Sequence, residues 1–170
     1  MRDEDFERLY ADEAPGLFSF LAYRTGNRAL AQDLLGDAFE RALRSRRRYQ
    51  AGRGSAKTWL YAIALNVLRD HLRRAAAESR AHERLGPVRE DVFDRRLEAV
   101  GARDELARAL ETLSPEEREA IALRFGAEMT VPEISETLGE KLSTVEGRVY
   151  RALRKLRLAL DGAPQRSPGS

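Results

Sequence analysis

The sequence contains no cysteine, which excludes a disulfide framework and any thiolate zinc site. Histidine is scarce as well. His71 lies among Arg69, Arg73 and Arg74, a poor place to gather another cation, and His82 stands apart from it. Both read as solvated helix-surface residues, so no metal and no cofactor is expected. No stretch approaches the roughly 20 apolar residues of a spanning helix, and the segment MRDEDFERLY is charged from its second residue, unlike a secretory leader. With 34% charged residues, the chain reads as cytoplasmic, without membrane insertion. Strand signals are missing too: there are few β-branched runs, no alternating apolar stretches and no Asn-Gly hairpins. What remains is an all-α chain of 170 residues, room for one medium domain or two small ones.

Helical spacing is present nearly everywhere. Phe6, Leu9, Tyr10, Leu17, Phe18 and Leu21 form an apolar stripe that Pro15 should interrupt, giving two short helices or one kinked one. Gly26 reads as a stop and Asn27 as the N-cap of a second helix carrying Leu30, Leu34, Ala38, Phe39, Ala42 and Leu43. Gln50-Ala51-Gly52-Arg53-Gly54 breaks it. Ser55 then caps a third helix, with Trp59, Leu60, Ile63, Val67 and Leu72 inside and Arg69, Arg73 and Arg74 outside. Residues 3–76 should therefore fold as one unit. Apolar density falls over residues 77–101, which read as a flexible linker with little helical content. A second unit spans 102–160, and the Pro-, Gly- and Ser-rich tail 161–170 reads as disordered. The fold class is thus all-α, two small helical domains joined by a linker.

The second unit is punctuated clearly. Leu106, Leu110 and Leu113 mark one helix. Ser114-Pro115-Glu116-Glu117 is a helix start with Ser as cap, Pro at the first position and Glu at the third, and Ile121, Leu123 and Phe125 follow. Thr130 caps a short helix with Ile134 and Leu138 that closes at Gly139. A last helix from Ser143 to about Leu160 places Val145, Val149, Leu153 and Leu156 inward and Arg148, Arg151, Arg154 and Arg157 largely outward. Charge switches along this unit: residues 102–140 hold 4 basic and 10 acidic residues, residues 141–158 hold 6 and 1. Small Ser135, Gly139 at a turn, and Ile134, Leu138 and Val145 at a joint core have the spacing of a helix-turn-helix. Its second helix would offer Ser143, Thr144, Glu146 and Arg148 to base edges, with Arg151 and Arg154 further along to meet phosphates. Thr130, at the start of the first helix, joins that expected DNA-contacting set. An ordinary helical hairpin with a solvated basic face is the plainer reading, and the full spacing with the charge switch disfavours it.

In the first unit, Asp33, Asp37 and Glu40 lie within two turns of one helix, suited to a basic partner surface. Phe39 is either an apolar anchor beside them or part of the core. The third helix presents Asn66, Arg69, Arg73 and Arg74 beside the Gln50–Lys57 loop, a set able to hold unstacked bases through an amide and phosphates through Arg. Trp59 reads as a core anchor before a stacking platform. The cluster Arg41, Arg44, Arg46, Arg47 and Arg48 is a solvated face or a contact with partner or DNA backbone.

These blocks carry a resemblance. Asp33-Leu34-Leu35-Gly36-Asp37-Ala38-Phe39-Glu40-Arg41-Ala42-Leu43 resembles the polymerase-docking helix of bacterial sigma factors. Gly52-Arg53-Gly54-Ser55 with Trp59 to Ala64, Asn66, Asp70, Arg73 and Arg74 resembles their promoter-melting segment. Leu113 through Leu156 is similar to their fourth conserved region. Two blocks in that order, with only a short stretch between, resemble the extracytoplasmic-function (ECF) group. The resemblance implies a non-enzymatic subunit that binds core RNA polymerase, through the coiled coil of its largest subunit, by Asp33, Leu34, Asp37, Phe39, Glu40 and Arg41. It implies promoter DNA read as duplex upstream and captured melted downstream, and an anti-sigma partner inserted between the domains. Glu140, Glu146, Gly147 and Leu43 depart from the family pattern, the first standing for a usual aliphatic in the turn. Two alternatives compete. A helix-turn-helix regulator that is no sigma subunit would need a ligand pocket or phosphoacceptor domain near the N-terminus, and residues 1–76 show neither signal. A metal nuclease would need a second carboxylate cluster or a partnering histidine beside Asp33, Asp37 and Glu40.

Overall fold

Short-range chemistry sets where the helices start and stop. In the computed structural model, which describes residues 1–82 and 102–161, α1 (Asp3–Thr25) ends where Gly26 takes a left-handed conformation, φ 64°, and donates its N–H to the Ala22 carbonyl. A Cβ would strain that backbone; glycine adopts it freely. α1 runs through Pro15 as one helix, so of the two expected forms the pair of short helices is not the one adopted. Pro15 and Ala11 are both exposed, so water can reach the carbonyl that proline leaves unpaired. The Ser19 hydroxyl, one turn on, donates to the Pro15 carbonyl at 2.9 Å.

The Asn27 side chain accepts from the Leu30 N–H at 3.0 Å and starts α2 (Arg28–Ser45). Its buried residues Ala31, Leu34, Leu35, Ala38, Phe39 and Ala42 follow a three- and four-residue rhythm, while Leu43 is exposed. Two short 3₁₀ turns (Arg46–Arg48 and Ala51–Arg53) lead to α3 (Ala56–His82). The Ser55 hydroxyl caps it, accepting from the Thr58 N–H at 3.1 Å. α3 buries Leu60, Tyr61, Ala64, Leu65, Val67 and Leu68, and Leu72, expected inside, lies exposed beyond that face. The helix continues six residues past 76, where the linker was expected to begin. Ala75, Ala76 and Ala77 explain this, since alanine is the strongest helix former and no glycine or proline intervenes before Gly86. The rest of the expected linker, 83–101, and residues 162–170 of the expected tail lie outside the described residues.

The C-terminal part carries α4 (Ala102–Glu111), α5 (Pro115–Ile121), a π-helical turn (Ala122–Gly126), α6 (Val131–Leu138) and α7 (Leu142–Asp161). Among the described residues every regular element is helical. The chain divides into two compact units, one built on α1, α2 and α3 and the other on α4, α5 and α7. In the first, Leu17, Phe20 and Leu21 of α1 are fully buried with the inner faces of α2 and α3. Phe20 meets Tyr61 edge to face at 5.8 Å between ring centres. In the second, Leu113, Ile121 and Ala152 form a cluster flanked by Leu110 and Leu156. Leu153, expected inside, is exposed, as are Leu106 and Phe125. The wide π turn, closed by the Ala127 N–H on the Ala122 carbonyl, shifts the phase, so Leu123 and Met129 are buried and Phe125 is not.

Candidate nucleic-acid and partner interfaces

In the second unit, α6 begins with a reciprocal cap. The Thr130 N–H and hydroxyl both donate to Glu133 Oε2, at 2.7 and 2.8 Å. Thr130 is exposed, as a DNA contact requires, but its donors are already committed to that carboxylate. The helix closes at Gly139, φ 67°, the left-handed position that the turn needs. The turn is then tied twice to Ser135: its carbonyl accepts from the Glu140 N–H at 3.1 Å, and its hydroxyl donates to the Glu140 carbonyl at 2.6 Å. A small side chain at 135 is therefore a fastening as well as a space-saver.

α7 leaves this turn with Val145, Val149 and Ala152 buried and Ser143, Thr144, Glu146, Arg151 and Arg154 exposed. Arg148 departs from the expected outward face. Its side chain is only 12% exposed, and its Nη2 lies 2.7 Å from Glu140 Oε2. It follows buried Val145 by three positions and adjoins buried Val149, so it sits on the flank of the helix, where the turn supplies a carboxylate. Tyr150, 69% exposed on α7, was missed by the sequence reading. The signal was there: Ala152 holds the inward place that a count of large apolar residues gives to Leu153. Gly147 leaves room for the Arg151 guanidinium, which would lie 3.2 Å from a Cβ at that position.

The same flank of α7 is braced again two turns on. Ser114 and Glu117 cap each other at the start of α5, and Lys155 donates to Glu117 Oε2 at 2.7 Å. Glu117 is buried. The Lys155 hydrogen bond holds its carboxyl below the ordinary range, against the opposing effect of burial and with help from the Ser114 N–H. A carboxyl with a folded pKa below its unfolded one stabilises the fold above the unfolded value, about 4.3. That contribution disappears as pH falls through the lower folded value. Glu117→Gln is therefore expected to lower the melting temperature at pH 7, with the gap to wild type narrowing as pH is taken below about 4. Thermal unfolding followed by circular dichroism measures this; a gap constant from pH 7 to pH 3 would contradict the assignment.

In the first unit, α2 exposes Asp33, Asp37, Glu40 and Arg41 on one side and buries Leu34 and Phe39 on the other. Leu34 and Phe39, which the resemblance places among the docking residues, are buried, so the apolar side of α2 packs inside the unit. Phe39 packs against Phe6 and Tyr10 of α1, at 6.3 and 4.6 Å between ring centres. Arg41 spans to α3, its Nη1 2.9 Å from Asp70 Oδ2. Asp70 also holds Arg73, and these two guanidinium hydrogen bonds keep its carboxyl below the usual range. Asn66, Arg69, Arg73 and Arg74 are all exposed along α3. At the start of that helix Trp59 is half-buried, its ring 5.3 Å from that of Tyr49. The Tyr49 hydroxyl donates to the Gly54 carbonyl at 3.1 Å, pinning the loop. The sequence reading passed over Tyr49 because it lies just ahead of the Gly-rich segment.

Among the described residues no helix is long and apolar enough to cross a membrane. Residues 9–78 match the family model described as Sigma-70 region 2, and residues 103–156 the one described as Sigma-70, region 4. The RNA polymerase sigma factor CarQ of Myxococcus xanthus is 35% identical over 157 residues, covering 89% of this chain and 87% of CarQ. The ECF RNA polymerase sigma factor BldN of Streptomyces coelicolor is 31% identical over 163 residues, covering 93% of this chain. The chain spans only 61% of BldN's length. The solved structure of CnrH in complex with the cytosolic domain of CnrY superposes with a TM-score of 0.68 at 26% identity, covering 95% of this chain and 91% of that one.

Proposed function

The chain belongs to the ECF group of RNA polymerase sigma factors, and from that premise we propose that it binds core polymerase and directs promoter-specific initiation without catalysing a reaction itself. The observation that carries this reading is the division of labour on α2. Its apolar side is consumed by the core while Asp33, Asp37 and Glu40 stay exposed, an acidic surface in which Glu40 pairs with Arg44 one turn on. Arg41, paired with Asp70, ties that surface to α3. Residues 3–76 form the polymerase-binding and promoter-melting domain, 102–160 the upstream-reading domain, 77–101 the connection, into which α3 continues as far as His82, and 161–170 a tail. Working with polymerase on promoter DNA, the protein acts in the cytoplasm.

On α3, Asn66, Arg69, Arg73 and Arg74 meet the melted downstream element: the amide reads a base edge and the guanidiniums hold phosphates. On α7, Ser143, Thr144 and Glu146 face the duplex upstream element, with Arg151 and Arg154 on its backbone. Glu146 suits an exposed cytosine amino group. CnrH has been solved bound to the cytosolic domain of CnrY, and an anti-sigma protein that covers both domains is the matching partner here, since one clamp would block polymerase and DNA together.

The test is core-dependent transcription from a library of chromosomal promoters, with permanganate footprinting of the open complex. Asn66→Ala is expected to reduce strand opening about tenfold or more while duplex binding by the holoenzyme changes less than about twofold. Failure of the wild-type chain to stimulate any core-dependent transcript, with sequence-specific binding of duplex by the free chain, would favour an ordinary helix-turn-helix regulator.

A further inference from the structure

Arg148 is set apart from the other cations of α7. Arg151, Arg154 and Arg157 are exposed, whereas the Arg148 side chain is nearly nine-tenths covered, its guanidinium against Glu140. Glu140 Oε2 is closed to solvent and meets the guanidinium as an ion pair without a hydrogen bond, and with the Glu140 side chain 34% exposed the pair is partly shielded from water. There its attraction is stronger than at an open surface, and loss of either partner is costly. The carboxylate is not free to follow the guanidinium outward, because both backbone polar groups of Glu140 are tied to Ser135. The Glu116 carboxyl at the start of α5 is held below its ordinary range by its own backbone N–H and the Ser114 hydroxyl, with a smaller contribution from the charge of Arg148. A DNA phosphate or a guanine edge would have to displace a carboxylate already in place.

We propose that Glu140 and Arg148 form an internal latch seating α7 on the turn, and that Arg148 positions this helix without reading base or phosphate. The proposal rests on the reading of residues 102–160 as the duplex-binding domain. It follows that Glu140 removes one cation from the DNA face, leaving sequence choice to Ser143, Thr144 and Glu146. Glu140 thereby converts an arginine on the recognition helix into a fastening.

Lysine separates the two roles. Its ammonium can pair with Glu140 as a point charge but cannot reproduce the bidentate fork by which arginine reads guanine. Core polymerase loaded with the full chain is used to enrich a pool of randomised upstream duplexes, and binding to the selected sequence is then measured against salt. Arg148→Lys is expected to enrich the same sequence as wild type, with affinity within about threefold and an unchanged salt slope. Glu140→Leu is expected to release Arg148 and steepen the slope by about one unit, as one more phosphate is neutralised. Relaxed preference at a single base pair in Arg148→Lys, or a slope unchanged in folded Glu140→Leu, overturns the proposal.

Thermal unfolding of Glu140→Leu, Arg148→Leu and the double variant tests the latch without DNA. The double variant is expected to lose clearly less melting temperature than the two singles together, and simple additivity overturns the latch. A wild-type holoenzyme that enriches no sequence overturns the promoter reading instead, and the positioning of α7 for readout falls with it. The coupling in the unfolding cycle is judged separately from that outcome.

Discussion

Phe39→Ala is expected to cost the first unit about 3–5 kcal/mol of stability, the range for deleting a large buried aromatic. Phe39 is 6% exposed, and its ring packs against those of Phe6 and Tyr10. The deletion therefore removes contacts along the seam of α1 and α2 as well as leaving a cavity. Edge-to-face and tilted ring pairs of this kind add about 0.5–1.5 kcal/mol beyond their buried area. Since small domains are stable by only about 5–15 kcal/mol, the variant should be partly unfolded at growth temperature. It would then lose polymerase binding for a reason unrelated to the interface. Urea titration followed by Trp59 fluorescence measures the effect, with Phe39→Leu expected to recover most of it. A loss under about 1 kcal/mol would mean that the ring is not part of the core.

Phe39 also shows where the sequence stopped being legible. A polymerase-docking motif lists residues by position, and on a helix successive positions face opposite ways. Phe39 and Glu40 are adjacent in the motif, yet one is buried and the other exposed. Sequence periodicity left Phe39 between core and anchor, and only the packing of Phe6 and Tyr10 decides it. Helix ends were far more readable. Gly26, Asn27, Ser55, Ser114 and Gly139 act through bonds within a few residues, so the information lies in the local sequence.

Inward residues were harder wherever the buried side chain is small or aromatic-polar. Ala31, Ala64, Ala120 and Ala152 are fully buried, as is Tyr61, and none stands out in a stripe of leucines and valines. Conversely Leu72, Leu106, Phe125 and Leu153 fit the stripe and lie outside. Arg148 was illegible for a different reason. Position on α7 puts it on a flank, and only the turn, eight residues earlier in sequence, brings Glu140 against it. Asn66, Arg69, Arg73 and Arg74 are exposed, because α3 turns Leu60, Ala64, Leu65, Val67 and Leu68 inward.

Asp37→Lys is expected to leave the fold intact and weaken binding to core polymerase about 30-fold, equivalent to about 2 kcal/mol. Asp37 is exposed, so its replacement touches no core contact, and surface changes of this type lie within about 0.5 kcal/mol. Its helical neighbours offset each other: a lysine at 37 gains attraction to Asp33 four residues before it and repulsion from Arg41 four residues after it. At an interface with a basic helical surface the balance is different. A favourable charge is lost, and a like charge is placed where the partner's cations must approach. The loss should appear chiefly in the association rate and shrink at high ionic strength, since long-range attraction is screened over about 10 Å at 0.1 M salt. Asp37→Asn should fall between wild type and Asp37→Lys, and Asp33→Lys combined with Asp37→Lys should exceed either alone. Binding is measured by competition for labelled core polymerase at two salt concentrations, with urea titration of each variant to exclude unfolding. An Asp37→Lys protein that is folded and competes as well as wild type at low salt would remove the acidic face of α2 from the docking surface.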